Sequence, residues 1–332
     1  MSSSATLPAL LQSFFTERLL AQRRASPHTV ASYRDCFRLL LGFATRRLGK
    51  QASMLAVEDL DAAFIGKFLD HLERERGNSA RSRNVRLAAL HSFFRYVAMN
   101  EPAYLLHCQR VLAIPNKRYE RKPVGFLDED DVGALVSAPD ITKWIGRRDR
   151  ALLLVATQTG LRVSELVGLR REDVSLETGA HVRCRGKGRK HRATPLLKDA
   201  VRVLKEWMAE NEGPPSAPLF PSSRGGPLSR DAVEALLERH LAFAGAQRPS
   251  LKTKRATPHT LRHSRAMSLL QHGVDRSVIA LWLGHESVET TQVYLHADMG
   301  LKEKALAHTT PTKQKPARYR PGDKLLAFLE GL

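Results

Sequence analysis

The chain is poor in cysteine: Cys36, Cys108 and Cys184 are its only three, far apart and without a CxxC pair. That spacing excludes a disulfide framework and a cysteine-built zinc site, and leaves the three as small buried hydrophobes. Long apolar runs are missing as well. Even a run such as Ala151 to Ala156, which no other exceeds, falls far short of the ~20 residues that cross a bilayer, so no transmembrane helix is expected. The N-terminus carries no Lys or Arg before Arg18, and its apolar run is broken by Gln12 and Ser13, which does not read as a secretory signal. There is no basic amphipathic helix with interfacial aromatics to hold a membrane surface. Also absent are a GxxxxGK[ST] phosphate loop, an HExxH helix, a GxSxG elbow and an acidic cluster suited to two magnesium ions. Metal- and nucleotide-driven chemistry are therefore disfavoured, and neither a metal nor a cofactor is expected.

What the chain has is positive charge. Fifty-three Lys and Arg against 34 Asp and Glu give a net charge of +19, in a chain that is 26% charged and 42% hydrophobic. Such an excess on a foldable composition points to a polyanion, and nucleic acid is the commonest one. At ~150 residues per domain, 332 residues make about two domains, each able to bury its own core.

Residues 7 to about 100 read as four helices. The second is the clearest: Ser26 is an N-cap, Pro27 opens the helix, and Val30, Tyr33, Phe37, Leu41, Ala44 and Leu48 recur at three- and four-residue steps until Gly49. A third runs from about Asp59 to Gly77. The fourth, from Ser79, holds Arg81, Arg83 and Arg86 in its first turns, where the helix dipole disfavours cations. They face either phosphates or solvent, and something must compensate them. Residues 101–123 break the pattern and end in a basic, proline-bounded linker with Lys117, Arg118, Arg121 and Lys122. A second domain opens near Leu127 with Asp128 as N-cap. Helices are expected over about 148–159 and 164–169, short strands over 174–176, 181–185 and 192–196, and further helices near 198–211, 230–244, 259–272, 276–283 and 288–295. The class is mainly α with one small sheet.

The second domain sets cationic groups at helix ends and turns: Arg162 after Thr159-Gly160-Leu161, Lys187 between two glycines, His259 and Arg262 in His259-Thr260-Leu261-Arg262-His263, His285 after Leu283-Gly284, and then Tyr294. Two guanidiniums can bind the non-bridging oxygens of a phosphorane bidentately, doing the work of metal ions elsewhere. Each residue alone has a plainer reading. Arg162 could be a surface arginine, Lys187 an exposed turn lysine, and Tyr294 a half-buried packing residue. His259 and His263 stand at i, i+4, the spacing of a metal face, but lack a zincin's glutamate.

In order, however, the Thr-Gly-Leu-Arg162-x-x-Glu165-Leu box, the Gly-Lys187-Gly hairpin, the His259-x-Leu-Arg262-His-Ser box, the Leu-Gly-His285 turn and Tyr294 resemble the tyrosine recombinases, or phage integrase family, with Xer and transposon-encoded members most similar. The resemblance implies a SAM-like α-helical core-binding domain over 1–112, a basic linker over 113–125, a mixed α/β catalytic domain with a small antiparallel sheet over 126–300, and a tail over 301–332. Together these would form a C-shaped clamp on double-stranded DNA. It further implies that Tyr294 attacks a phosphodiester, that Arg162 and Arg262 clamp the phosphate and that Lys187 protonates the leaving 5′-oxygen. His259 would assist proton transfer at the tyrosine, His285 would hydrogen-bond the phosphate, and Glu165 would hold Arg162. The expected partners are DNA sites and a homotetramer, with or without a second recombinase, in the cytoplasm at the nucleoid. The apolar end Leu325–Leu332 is expected to dock on a neighbouring protomer or on its own domain. The 38 residues past Tyr294, with a Pro-rich basic stretch, favour integration or excision of a mobile element over dimer resolution. A DNA-binding protein without catalysis and a topoisomerase are the competing classes.

Overall fold

The structure is a computed structural model of the chain. It describes residues 6–120, 125–186, 191–284, 291 and 294. The backbone divides into two units, Met1–Arg121 and Lys122–Leu332.

In the first unit, α1 (Leu7–Ser13) widens into a π-helical stretch over Phe14–Gln22. It is followed by α2 (Pro27–Leu48), α3 (Ala62–Arg74), α4 (Ala80–Asn100) and α5 (Leu105–Leu112). The α2 boundaries follow from local chemistry. Ser26 accepts the Thr29 amide at 3.2 Å, and Gly49 ends the helix with a left-handed φ of 68°. The third helix starts later than its periodicity suggests, because a 3-10 turn over Glu58–Leu60 comes first and Asp61 is the true N-cap. Helix α5, where the sequence shows only a short apolar patch, packs on α4 through Cys108 and Val111. The core interleaves Phe14, Phe37 and Phe93 edge-to-face at 5.2–6.2 Å with Leu40, Phe68, Leu69 and Leu90. Each such fully buried side chain contributes ~1.5–3 kcal/mol.

The arginines of α4 mostly serve this unit. Arg83 is buried, with Nε 3.5 Å from the Glu73 carboxylate and Nη1 donating to the Pro115 carbonyl, and Arg86 donates to the Ser32 carbonyl at 2.9 Å. Those partners are the compensation that the helix dipole demands. The start of the linker is likewise fastened down. The Asn84 side chain donates to the Lys117 carbonyl at 2.8 Å and accepts the Lys117 amide at 3.0 Å, while Lys117 Nζ reaches Glu73 at 2.7 Å.

In the second unit, α6 (Glu129–Ser137) is followed by α7 (Trp144–Thr159) and the short α8 (Val163–Val167). The antiparallel sheet β1–β2–β3 comes next (Val174–Ser175, His181–Arg185, His191–Pro195), then α9 (Lys198–Glu210), α10 (Arg230–Gln247), α11 (Pro258–Gln271) and α12 (Arg276–Leu283). Helix α7 is the axle. Ala151–Ala156 are all buried, and the helix packs on α6, α9 and α11. A helix buried on every side must be apolar on every side, which is why this stretch is an unbroken apolar run. The helix expected near 288–295 lies outside the described residues except for Thr291 and Tyr294, and so does the tail. All three cysteines are buried and free.

A carboxylate knits α6 to the segment after α10. Asp131 is fully buried and accepts from Arg248 Nε at 2.7 Å, Ser250 Oγ at 2.9 Å and Lys254 Nζ. Burial pushes its pKa up, but the bonds from Lys254, Arg248 and Ser250 outweigh that and hold it well below the usual carboxylate range. A depressed folded-state pKa gives stability that is complete above the unfolded value of ~3.9 and is lost as pH falls through the folded value. Asp131→Asn should therefore cost ~3 kcal/mol in urea unfolding at pH 7 and equally at pH 6, with the gap to wild type closing below pH 4. A constant gap down to pH 2 would contradict the ionic account.

Candidate active site

The carboxyl ends of two helices converge in the second unit. Helix α7 ends at Gly160 (φ 63°) and α12 at Gly284 (φ 65°), both in the left-handed conformation that lets a chain turn out of a helix. Between them lies the Arg262 guanidinium, which is 2% exposed. Its Nη1 donates to the Gly160 carbonyl at 2.7 Å and its Nη2 to the Leu283 carbonyl at 2.6 Å. A buried cation needs negative partners, and the helix ends supply them through their uncapped carbonyls and their dipoles. Burial, and then the nearby Arg162 cation, pull Arg262 down to about 10, so it stays charged at neutral pH.

Arg162 immediately precedes α8 and turns its side chain to the same place. Its Nη2 donates to the Gly284 carbonyl at 3.2 Å and its Nη1 to Glu165 Oε1 at 3.0 Å, leaving the side chain 34% exposed. Glu165 has two tasks. Oε2 accepts the Arg162 backbone amide at 2.8 Å, the reach-back that starts a helix, while the same carboxylate pairs with two guanidiniums.

The second of these is Arg192, which sequence reasoning missed. It lies on β3, on the same face as the buried Thr194 and opposite Cys184 of β2, and it donates to Glu165 at 3.0 and 2.7 Å. Strand alternation could have shown that Arg192 points inward, but its partner 27 residues earlier could be found only in the fold. Burial raises the Glu165 pKa, but Arg192 and the Arg162 amide outweigh it and lower the value overall, so the carboxylate is ionised.

Tyr294 is 2% exposed, and its hydroxyl is 2.9 Å from Nδ1 of His263, the ring centroids being 5.4 Å apart. The His263 ring meets the His259 ring edge-on at 4.2 Å. Sequence reasoning gave the tyrosine side to His259; His263, one helical turn on, also stands there, with its Nδ1 at the phenol oxygen. Burial raises the phenol pKa, while the Arg262 and Arg162 cations lower it.

The fold thus brings together Arg162, Glu165, Arg262, His259 and Tyr294. Lys187 and His285 lie outside the described residues, as do Arg121 and Lys122. In the first unit Arg81 and Arg118 are exposed, Lys117 is half exposed on Glu73, and Arg83 and Arg86 are engaged within the unit.

The sequence profile of the phage integrase family matches residues 125–300, and that of the phage integrase N-terminal SAM-like domain matches residues 13–101. A protein of Sinorhizobium fredii described as an integrase/recombinase, y4rC, is 56% identical over 332 residues, 100% of both chains. The tyrosine recombinase XerC of Pelobacter propionicus is 36% identical over 291 residues, covering 86% of this chain and 90% of the relative. The crystal structure of the XerH site-specific recombinase bound to difH substrate, a pre-cleavage complex, is similar with a TM-score of 0.64 and 25% identity, over 86% of this chain and 81% of that one.

Glycine at 284 is required twice, for its φ and for room. A Cβ there would lie 2.8 Å from Arg192 Nη1 and 3.1 Å from its Cζ. Gly179 has a similar φ of 76° with open space around it. Gly179→Ala should cost only the left-handed penalty of ~1–2 kcal/mol in urea unfolding. Gly284→Ala should cost that plus the displacement of Arg192 from Glu165, so equal losses would disprove the steric role.

Proposed function

Because the chain belongs to the phage integrase family, tyrosine recombinases that cleave and rejoin DNA strands, we propose that Tyr294 is its nucleophile and that Arg162 and Arg262 hold the scissile phosphate. The observation that carries this reading is the pair of neighbouring guanidiniums beside a buried phenol, Arg162 held by Glu165 and the Gly284 carbonyl and Arg262 by the Gly160 and Leu283 carbonyls. Two like charges kept close cost energy until an anion joins them, and a phosphodiester passing through a phosphorane gains negative charge.

The Tyr294 oxygen attacks the phosphorus, leaving a 3′-phosphotyrosyl ester and a free 5′-hydroxyl. The energy of the broken bond stays in the ester, so a second 5′-hydroxyl can reseal the strand without ATP. Arg162 and Arg262 donate to the non-bridging oxygens throughout. Glu165 and Arg192 fix the direction of Arg162. Lys187 protonates the departing 5′-oxygen, a role that neighbouring arginines favour by lowering a lysine's pKa. His259 assists on the tyrosine side, and His285 bonds the transferring phosphate.

Double-stranded DNA is bound by both domains. The exposed Arg81 and Arg118, with Lys117, Arg121 and Lys122, meet the backbone in a binding mode that weakens steeply with salt. Exchange takes place in a homotetramer on two sites, with or without a second recombinase, and serves integration or excision of a mobile element. The end-to-end match to the integrase/recombinase of Sinorhizobium fredii, tail included, supports that role. The similarity to XerC supports the second reading, a dimer resolvase.

Wild type and Tyr294→Phe should be expressed in cells, denatured in EDTA, and the covalently attached DNA sequenced. Attachment at a few discrete sites in wild type alone is expected, with salt-sensitive DNA binding kept in both. Equal attachment in Tyr294→Phe would assign the nucleophile elsewhere, and scattered attachment would indicate a topoisomerase. On a nicked duplex of a recovered site, Lys187→Ala should slow cleavage ~10²–10⁴-fold and regain speed with a 5′-thio leaving group. Failure of that rescue would remove Lys187 from the acid role.

A further inference from the structure

The phenol of Tyr294 is buried, and its hydroxyl meets the imidazole of a residue given no role so far. We infer that His263 takes the phenolic proton as Tyr294 attacks the phosphodiester and returns it when the strand is resealed. The inference rests on the reading of Tyr294 as nucleophile.

Geometry comes first. Nδ1 of His263 is 2.9 Å from the Tyr294 hydroxyl, within reach of direct proton transfer. His263 stands on α11 next to Arg262, so one turn of one helix supplies a phosphate-binding guanidinium on one side and an imidazole at the phenol on the other. With its hydrogen on Nε2, a neutral imidazole accepts the phenolic hydrogen at Nδ1. His259, one turn earlier, is exposed and sets its ring edge-on to His263 at 4.2 Å, which supports the ring and leads from the buried phenol toward solvent.

The step balances. The Tyr294 Oη–phosphorus bond forms, the phosphorus–O5′ bond breaks, the phenolic proton goes to His263 Nδ1, and the leaving O5′ takes its proton from the acid on the far side. In resealing each movement reverses. The transfer is unfavourable without DNA, because an imidazolium would arise near the Arg262 and Arg162 cations and because phenol (pKa ~10) is a weaker acid than imidazolium (~6.5). The anionic phosphate removes the first obstacle by neutralising the arginines. Bond formation removes the second, since the phenolate charge passes to the phosphoryl oxygens as the proton leaves. DNA thus switches on its own attacker.

The test uses the full-length protein, a nicked duplex of a site recovered by covalent capture, and the rate of covalent complex formation after denaturation. His263→Asn keeps a hydrogen-bonding group near the position of Nδ1 but takes up no proton; His263→Phe keeps the ring. Both should bind the duplex in gel shift and form the covalent complex ~10²-fold or more slowly. Replacing Tyr294 with a fluorinated tyrosine, whose phenol is more acidic, should restore at least tenfold to the His263 variants. A packing role would not respond to phenol acidity. Either His263 variant within threefold of wild type, or a defect the same with both phenols, would overturn the inference. Covalent complex from Tyr294→Phe would instead overturn the nucleophile assignment beneath it.

Discussion

The second unit is organised around one unfavourable act, the burial of the Arg262 guanidinium. Its hydrogen bonds run to carbonyls at the ends of α7 and α12, so those helices must stop where they do and close together. That fixes the glycines that end them. A Cβ on Gly160 would lie 2.7 Å from Leu283 Cδ2, so α7 and α12 touch through a position with no side chain to spare. Arg162 reaches the same corner through the Gly284 carbonyl, and Glu165 and Arg192 are arranged behind it. The core built on α7 is thus also the mount for the site.

Removing one of these partners is more damaging than its hydrogen bond suggests, because the group left behind is a buried charge. Glu165 shows the dependence most clearly. It joins the start of α8, a side chain of that turn and a strand residue through one carboxylate, and no neutral side chain offers four such acceptor positions. The like-charged arginines are held by geometry in the absence of substrate. They need not reorganise when a phosphate arrives, which is the form in which binding energy becomes rate.

Much of this is legible in the sequence because it is local. Ser26-Pro27 and Gly49 bracket α2, Asp128 opens α6, and Gly160 and Gly284 end α7 and α12, each by chemistry confined to a single turn. The ordered boxes around Arg162, Arg262 and Tyr294 are legible for a different reason, since their combination is distinctive. What escapes is pairing at long range. Arg192 with Glu165, His263 with Tyr294 and Arg83 with Glu73 and Pro115 join positions that no periodicity connects. Helix α5 escapes because eight residues are too few for a repeating stripe to stand out from an apolar patch.

The three cysteines give the molecule an unplanned property. Burial pushes the Cys36 thiol up to about 12, and the Cys108 and Cys184 thiols up to about 11. Thiolate, the form that alkylates, is scarce at such values, and all three sulfurs are shielded as well. The native thiols should therefore react only slowly with maleimides. A single cysteine introduced on the exposed surface would be the one reactive thiol, so fluorophore pairs or spin labels could be attached at chosen positions without first stripping the protein of its own sulfur.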